Sequence, residues 1–112
     1  MINYHNKCFR VVENTSNGET STETIFEYKQ ENEIISCSYG GGKIKTGNLL
    51  GTVDASGVIN MSYHQINTKG ELVFGTCTSK PVIMPNGKIK LLESWQWGSG
   101  DLSKGNSTLE EL

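Results

Sequence analysis

The chain has 112 residues, 35% of them hydrophobic, with 13 glycines and 2 prolines, which describes one small globular unit with room for a single core and a single site. A formal charge of −2, a pI near 5.6 and no Lys/Arg cluster give no electrostatic footprint for nucleic acid or an anionic membrane surface. No apolar stretch approaches the ~20 residues of a membrane span, and the N-terminal MINYHNKCFR lacks the basic and apolar regions of a secretory signal, so a cytoplasmic location is expected.

Residues 7–13, KCFRVVE, alternate weakly and predict a first strand, followed by a polar loop at 14–22 with Asn17-Gly18 at its centre. Residues 23–30 place Thr24, Phe26, Tyr28 and Gln30 on one face and Ile25, Glu27 and Lys29 on the other. A turn at Glu31-Asn32, where Asn32 suits a positive φ, leads into a strand at 33–39. Gly40-Gly41-Gly42 opens another hairpin into a long strand at 43–53, interrupted by Gly47 and Gly51. Such internal glycines mark a bulge, a bend or a close backbone approach. The turn at 54–57 precedes a strand at 58–67, and Thr68-Lys69-Gly70 turns the chain into 71–79. Pro81 and Pro85 flank a short edge-like piece, PVIM, and Asn86-Gly87 is a strong hairpin signal.

The strand at 88–98, KIKLLESWQWG, is the most apolar and aromatic run in the chain. With a period of two, Ile89, Leu91, Glu93, Trp95 and Trp97 share one face, and Leu92 alone speaks for the other. Residues 98–105 form a flexible connection, and 106–112 make a closing strand or a final helical turn. About eight short strands joined by Gly/Asn turns, with very little helix, predict an all-β antiparallel up-and-down meander closing into a small barrel over 1–112, an open sandwich being the alternative.

Few residues carry chemistry. GGGKIKTG lacks the Gly-Lys-Ser/Thr ending and following helix of a phosphate loop, and nothing in the chain calls for a cofactor. His5 and His64 stand in no metal-ligand spacing, so no metal site is expected. Cys8, Cys37 and Cys77 are an odd, widely spaced set that fits free thiols in a reducing compartment. Cys77 becomes a nucleophile only if His64 meets it across neighbouring strands; otherwise it is a small buried thiol.

Glu93 is the most informative single residue, because an apolar wall at Trp95 would raise its pKa and suit it to hold a polar ligand atom or act as an acid. The alternative reverses its face or pairs it with a Lys or Arg at the barrel end. Tyr63 and Gln65, or in the opposite phase Asn60, Ser62 and His64, supply hydrogen-bonding groups from a neighbouring strand. The candidate cavity therefore comprises Trp95, Trp97, Glu93, Tyr63 and Gln65, with simple filling of the lumen by side chains as the alternative.

The motifs N-G-E-T-S-T-E-T-x-F-x-Y at 17–28, Y-x-G-G-x-I-x-x-G-x-L-x-G at 39–51, Y-H-Q-I-N-x-x-G-E-L at 63–72, G-x-C-x-S at 75–79 and E-S-W-Q-W-x-S-G-D-x-S-x-G-x-S at 93–107 together resemble a family of short bacterial proteins labelled N-acetylglutamate synthase. That resemblance implies an acetyl-coenzyme A-dependent acyl transfer, although no Arg/Gln-x-x-Gly-x-Gly/Ala loop at a helix start is visible. In architecture the chain resembles avidin-like and lipocalin-like barrels, whose ligands sit in the barrel mouth among tryptophans. The expected function is a non-catalytic binder of a small organic ligand, with an enzyme or a purely structural or interaction domain as alternatives. A homodimer through exposed sheet faces or edges is the expected assembly.

Overall fold

Side chains that alternate apolar and polar need a surface to bury one face against, and eight such runs bury it by closing on themselves. The computed structural model describes residues 2–98, 100 and 102–112, and in it the strands are β1 (Lys7–Asn14), β2 (Ile25–Glu31), β3 (Ile34–Gly41), β4 (Ile44–Val53), β5 (Ile59–Asn67), β6 (Leu72–Ile83), β7 (Ile89–Trp97) and β8 (Lys104–Glu111). Each pairs antiparallel with its neighbours in chain order, and β8 pairs with β1 to close the barrel. Closure leaves no free sheet edge along the main ladder.

Two predicted segments differ from the structure. PVIM is no separate edge piece, because β6 runs through Pro81 to Ile83. Pairing of β6 with β5 ends at Ser79, and from Lys80 onward only its β7 side carries a strand, where a proline interrupts no second ladder. The C-terminal segment is a strand and not a helical turn, and it starts at Lys104, shortening the connection expected to extend through 105.

The turns carry local chemistry that explains their positions. Asn32 adopts the expected positive φ of 56°. In both the 54–57 and 67–70 turns a short polar side chain caps the bend: Asp54 Oδ1 accepts from the Ser56 and Val58 amides, and Asn67 Oδ1 from the Lys69 and Glu71 amides. A glycine with positive φ, Gly57 or Gly70, closes each turn.

The lumen has two halves. At one end Tyr4, Phe9, Val11, Tyr28, Ile35, Ile59, Leu91 and Leu109 are buried and in one contiguous cluster, with Phe9 and Tyr28 packed edge to face at 5.0 Å. The segment before β1 plugs that end: the Tyr4 hydroxyl donates to the Gly57 carbonyl at 2.6 Å, its amide donates to Gln30 Oε1, and His5 Nδ1 accepts from the Gln30 amide. The other end is the mouth.

Candidate functional site

The parity of β7 holds without interruption, since its ladders to β6 and β8 show no register shift. Ile89, Leu91, Glu93 and Trp95 are therefore all buried on the inner face, with Trp97 half-buried beyond them and Leu92 exposed outside. Glu93 stands directly opposite Ser79 on β6 and Ser107 on β8. Both hydroxyls turn inward to its carboxyl: Ser79 donates to Oε2, and Ser107 donates to Oε1 at 3.0 Å. Burial pushes the Glu93 pKa up, and the two serine hydrogen bonds oppose that shift without cancelling it.

Above this floor the wall is aromatic, and its shape comes from glycines. Tyr39 is paired across the ladder with Gly47, Tyr63 with Gly75, and Trp95 with Gly105. A Cβ on Gly47 would lie 2.4 Å from the Tyr39 ring, on Gly75 2.6 Å from the Tyr63 hydroxyl, and on Gly105 2.2 Å from the Trp95 ring. Each ring thus lies down over the neighbouring strand where a glycine leaves room, and the centre of the mouth stays open. Phe26 stacks on Tyr39 at 4.5 Å, and Trp95 and Trp97 are tilted against each other at 6.2 Å.

The rim is polar. Between Val11 and Glu13 the β1–β8 ladder shifts by one residue, and this bulge returns Asn14 to the inner face opposite Ser107. Asn14 Nδ2 donates to the carbonyl and hydroxyl of Thr20, while its Oδ1 is buried with no partner. The loop between β1 and β2 crosses the mouth and is tied down on both sides. Glu19 accepts from Gln65 Nε2 at 2.9 Å and from Asn67 Nδ2 at 2.7 Å, and Asn17 Nδ2 donates to the Lys104 carbonyl at 3.0 Å. Gln65 Oε1 in turn accepts from the Tyr39 hydroxyl at 2.8 Å. These groups enclose a cavity of about 50 Å³, lined by Asn14, Gly18, Glu19, Thr20, Phe26, Tyr39, Leu49, Met61, Tyr63, Gln65, Cys77, Glu93, Trp95, Trp97 and Ser107.

All five residues singled out in the sequence, Trp95, Trp97, Glu93, Tyr63 and Gln65, line this cavity. The opposite phase of β5 does not: Asn60, Ser62 and His64 are exposed on the outside. This separates the suggested nucleophile from its base, because Cys77 pairs with Met61 on the inner face and His64 pairs with Phe74 on the outer one. Burial also pushes the Cys77 and Cys37 thiols up, with the Glu93 carboxyl adding to both. Asn14, Glu19, Ser79 and Ser107 were not singled out. The two serines share inward parity with their neighbours, a signal present in the sequence, whereas Asn14 is brought in by the bulge and Glu19 by a loop.

No curated protein and no solved structure matches the chain. Against known families, residues 2–112 match the one described as avidin-like protein, and the acyltransferase resemblance finds no support beside it. With the eight-strand antiparallel barrel and its mouth cavity, that match over nearly the whole length places the chain in the avidin-like protein family.

Proposed function

We propose that the protein binds a small organic molecule in the mouth of its barrel and carries out no reaction on it. The observation that supports this most directly is the buried Glu93 carboxyl, held by two in-register serines at the floor of an aromatic cavity. Such an arrangement fixes one polar atom of a ligand and surrounds the rest with apolar surface. Turnover would need a nucleophile, a base and a charge stabiliser in mutual reach, and the geometry holds Cys77 and His64 on opposite faces of the sheet. The thiols and the location of the chain are read as those of a reducing, cytoplasmic setting.

A thermal-shift panel with intrinsic tryptophan fluorescence tests the reading. It includes biotin, because of the family, and acetyl-coenzyme A and glutamate, because of the acyltransferase resemblance. A ligand at one hundred times its Kd raises stability by about 2.7 kcal/mol and shifts the melting temperature accordingly. Stabilisation by acetyl-coenzyme A accompanied by acyl transfer to glutamate would replace this proposal.

A second copy of the chain is proposed as the partner of the outer face. Leu50, Ile66 and Leu72 are exposed there on β4, β5 and β6, with Ile66 and Leu72 opposite each other in register. Sedimentation equilibrium is expected to show a dimer that Leu72→Asp weakens; a wild-type monomer at all concentrations would exclude it.

A further inference from the structure

The charged groups of the cavity lining are of one sign. Its lining holds two carboxyl side chains, Glu93 at the floor and Glu19 at the rim, and no Lys, Arg or His. The basic residues, from Lys7 to Lys104, lie exposed or half-buried on the outside, and the one ion pair found among the described residues, Lys7 with Glu111, is remote from the mouth. Glu93 is nine-tenths buried and its two hydrogen bonds come from neutral hydroxyls, so no protein cation offsets its charge.

The hydrogen-bonding capacity left open points the same way. A carboxylate has about four acceptor positions, and the serines occupy two of those on Glu93. Asn14 Oδ1 is a buried acceptor without a donor, and its orientation is fixed because Nδ2 must face the Thr20 carbonyl. Gln65 is committed at both ends, to Tyr39 and to Glu19. The second buried polar atom without a partner, the Tyr28 hydroxyl, does not line the cavity. What the lining lacks is a cation, and the faces of Phe26, Tyr39, Tyr63, Trp95 and Trp97 surround the place where one would sit.

We propose that the ligand is a small organic cation, an alkylammonium or amidinium whose N–H groups meet Glu93 and Asn14 Oδ1 and whose charge is enclosed by the tryptophan and tyrosine faces. This deepens the reading of the barrel as a small-molecule binder and rests on it. Binding is coupled to a proton. Burial favours the protonated form of Glu93 and a neighbouring cation favours the ionised one, so any proton the carboxyl holds leaves to solvent as the ammonium, itself fully protonated, takes its place as the positive partner. The other titratable groups facing Glu93 are Tyr28 on β2, Cys37 and Tyr39 on β3, Tyr63 on β5 and Cys77 on β6. Burial raises the pKa of each, so they stay neutral where a carboxyl titrates. Glu19, in the loop, is held by two amides at the rim.

Three probes of nearly equal shape test this on the full chain by isothermal titration calorimetry and tryptophan fluorescence: n-butylammonium, n-butanol and butanoate. Butylammonium is expected to bind at least about tenfold more tightly than butanol, with butanoate weakest. Its apparent enthalpy should depend on buffer ionisation heat more strongly at low pH, where the carboxyl holds its proton, than at high pH, where it does not. Glu93→Gln should weaken butylammonium by about tenfold or more while near-ultraviolet circular dichroism shows the native fold. The wild-type comparison stands even if that variant does not fold. Butanol or butanoate binding as tightly as butylammonium, or butylammonium binding Glu93→Gln unchanged, overturns the cation assignment and leaves the binding function standing. If none of the three perturbs the tryptophans and a small neutral quencher cannot reach them, both readings fall.

Discussion

Ser79 and Glu93 face each other across the β6–β7 ladder, and the serine hydroxyl donates to the carboxyl from directly opposite in register. The bond is short-range and buried, yet it does not restore to Glu93 what burial takes away, and the carboxyl stays easier to protonate in the folded chain than in the unfolded one. The sign follows: the folded state holds the proton more tightly. The contribution of Glu93 to stability is therefore complete below its unfolded pKa of about 4.3 and is lost as pH rises toward its folded value. Urea unfolding at a series of pH values should show stability falling by up to about 1.4 kcal/mol per pH unit across that window. Glu93→Gln should flatten this part of the profile, and a wild-type profile already flat there would contradict a raised pKa.

Trp95 is 8% exposed and lies over Gly105, so its removal empties a wall of the cavity. Trp95→Ala should cost about 3–5 kcal/mol in chemical denaturation and abolish ligand binding. Wild-type tryptophan emission should be blue-shifted and partly quenchable by a small neutral quencher. A variant that binds as before would take Trp95 out of the site.

The smallest informative change is Gly105→Ala, which removes no side chain that lines the cavity. The added methyl would meet the Trp95 ring at 2.2 Å, and the ring has to move into the mouth. A destabilisation of about 1–3 kcal/mol is expected, with a red shift of emission and weaker ligand binding. Unchanged emission would show that the ring yields by another route.

Glu19 holds the β1–β2 loop over the mouth through Gln65 and Asn67. Glu19→Ala should cost about 1 kcal/mol and speed amide hydrogen exchange at 15–24 while leaving the β-strands protected. Stopped-flow fluorescence should then show both ligand entry and exit accelerated. If only the affinity falls and the rates of entry stay fixed, the loop is a contact surface and not a strap.

Cys37 and Cys77 face the lumen as free thiols whose ionisation burial opposes. A chromogenic disulfide reagent should label them only at the rate of global unfolding, and rapid labelling of Cys77 in the native protein would reopen a nucleophilic role.

The parity of β7 and β5 was legible because a strand buried on one face has only two phases, and Ile89 and Leu91 decide between them. That carried Glu93, Trp95 and Trp97 inward, and the same alternation did so for Tyr63 and Gln65. The rim was not legible for two physical reasons. A bulge adds one residue and inverts the parity beyond it, and nothing in Val12-Glu13 announces where it falls. Glu19 reaches β5 through a loop whose path depends on amides that are remote in sequence. Gly47 and Gly51 signal a bend or a close approach in the sequence, and the structure shows close approach at both, by the Tyr39 ring at Gly47 and by the Asn60–Met61 backbone at Gly51; Gly75 and Gly105, which carry no such signal, likewise make room for a ring on the facing strand. Pro81 looked like a strand boundary because a proline breaks a two-sided ladder, and β6 passes it only where β5 has ended.

The plug formed by Tyr4 makes the barrel a blind vessel rather than a conduit. Whatever enters must leave by the same opening, together with the water it displaces, and two occupants cannot be held in series. A guest longer than the cavity would protrude past Glu19, so its outer end is the only place where a tether, a dye or a chromatography resin can be attached without preventing capture. In the proposed binding mode, a guest fastened to a support by the end that meets Glu93 is expected to escape capture.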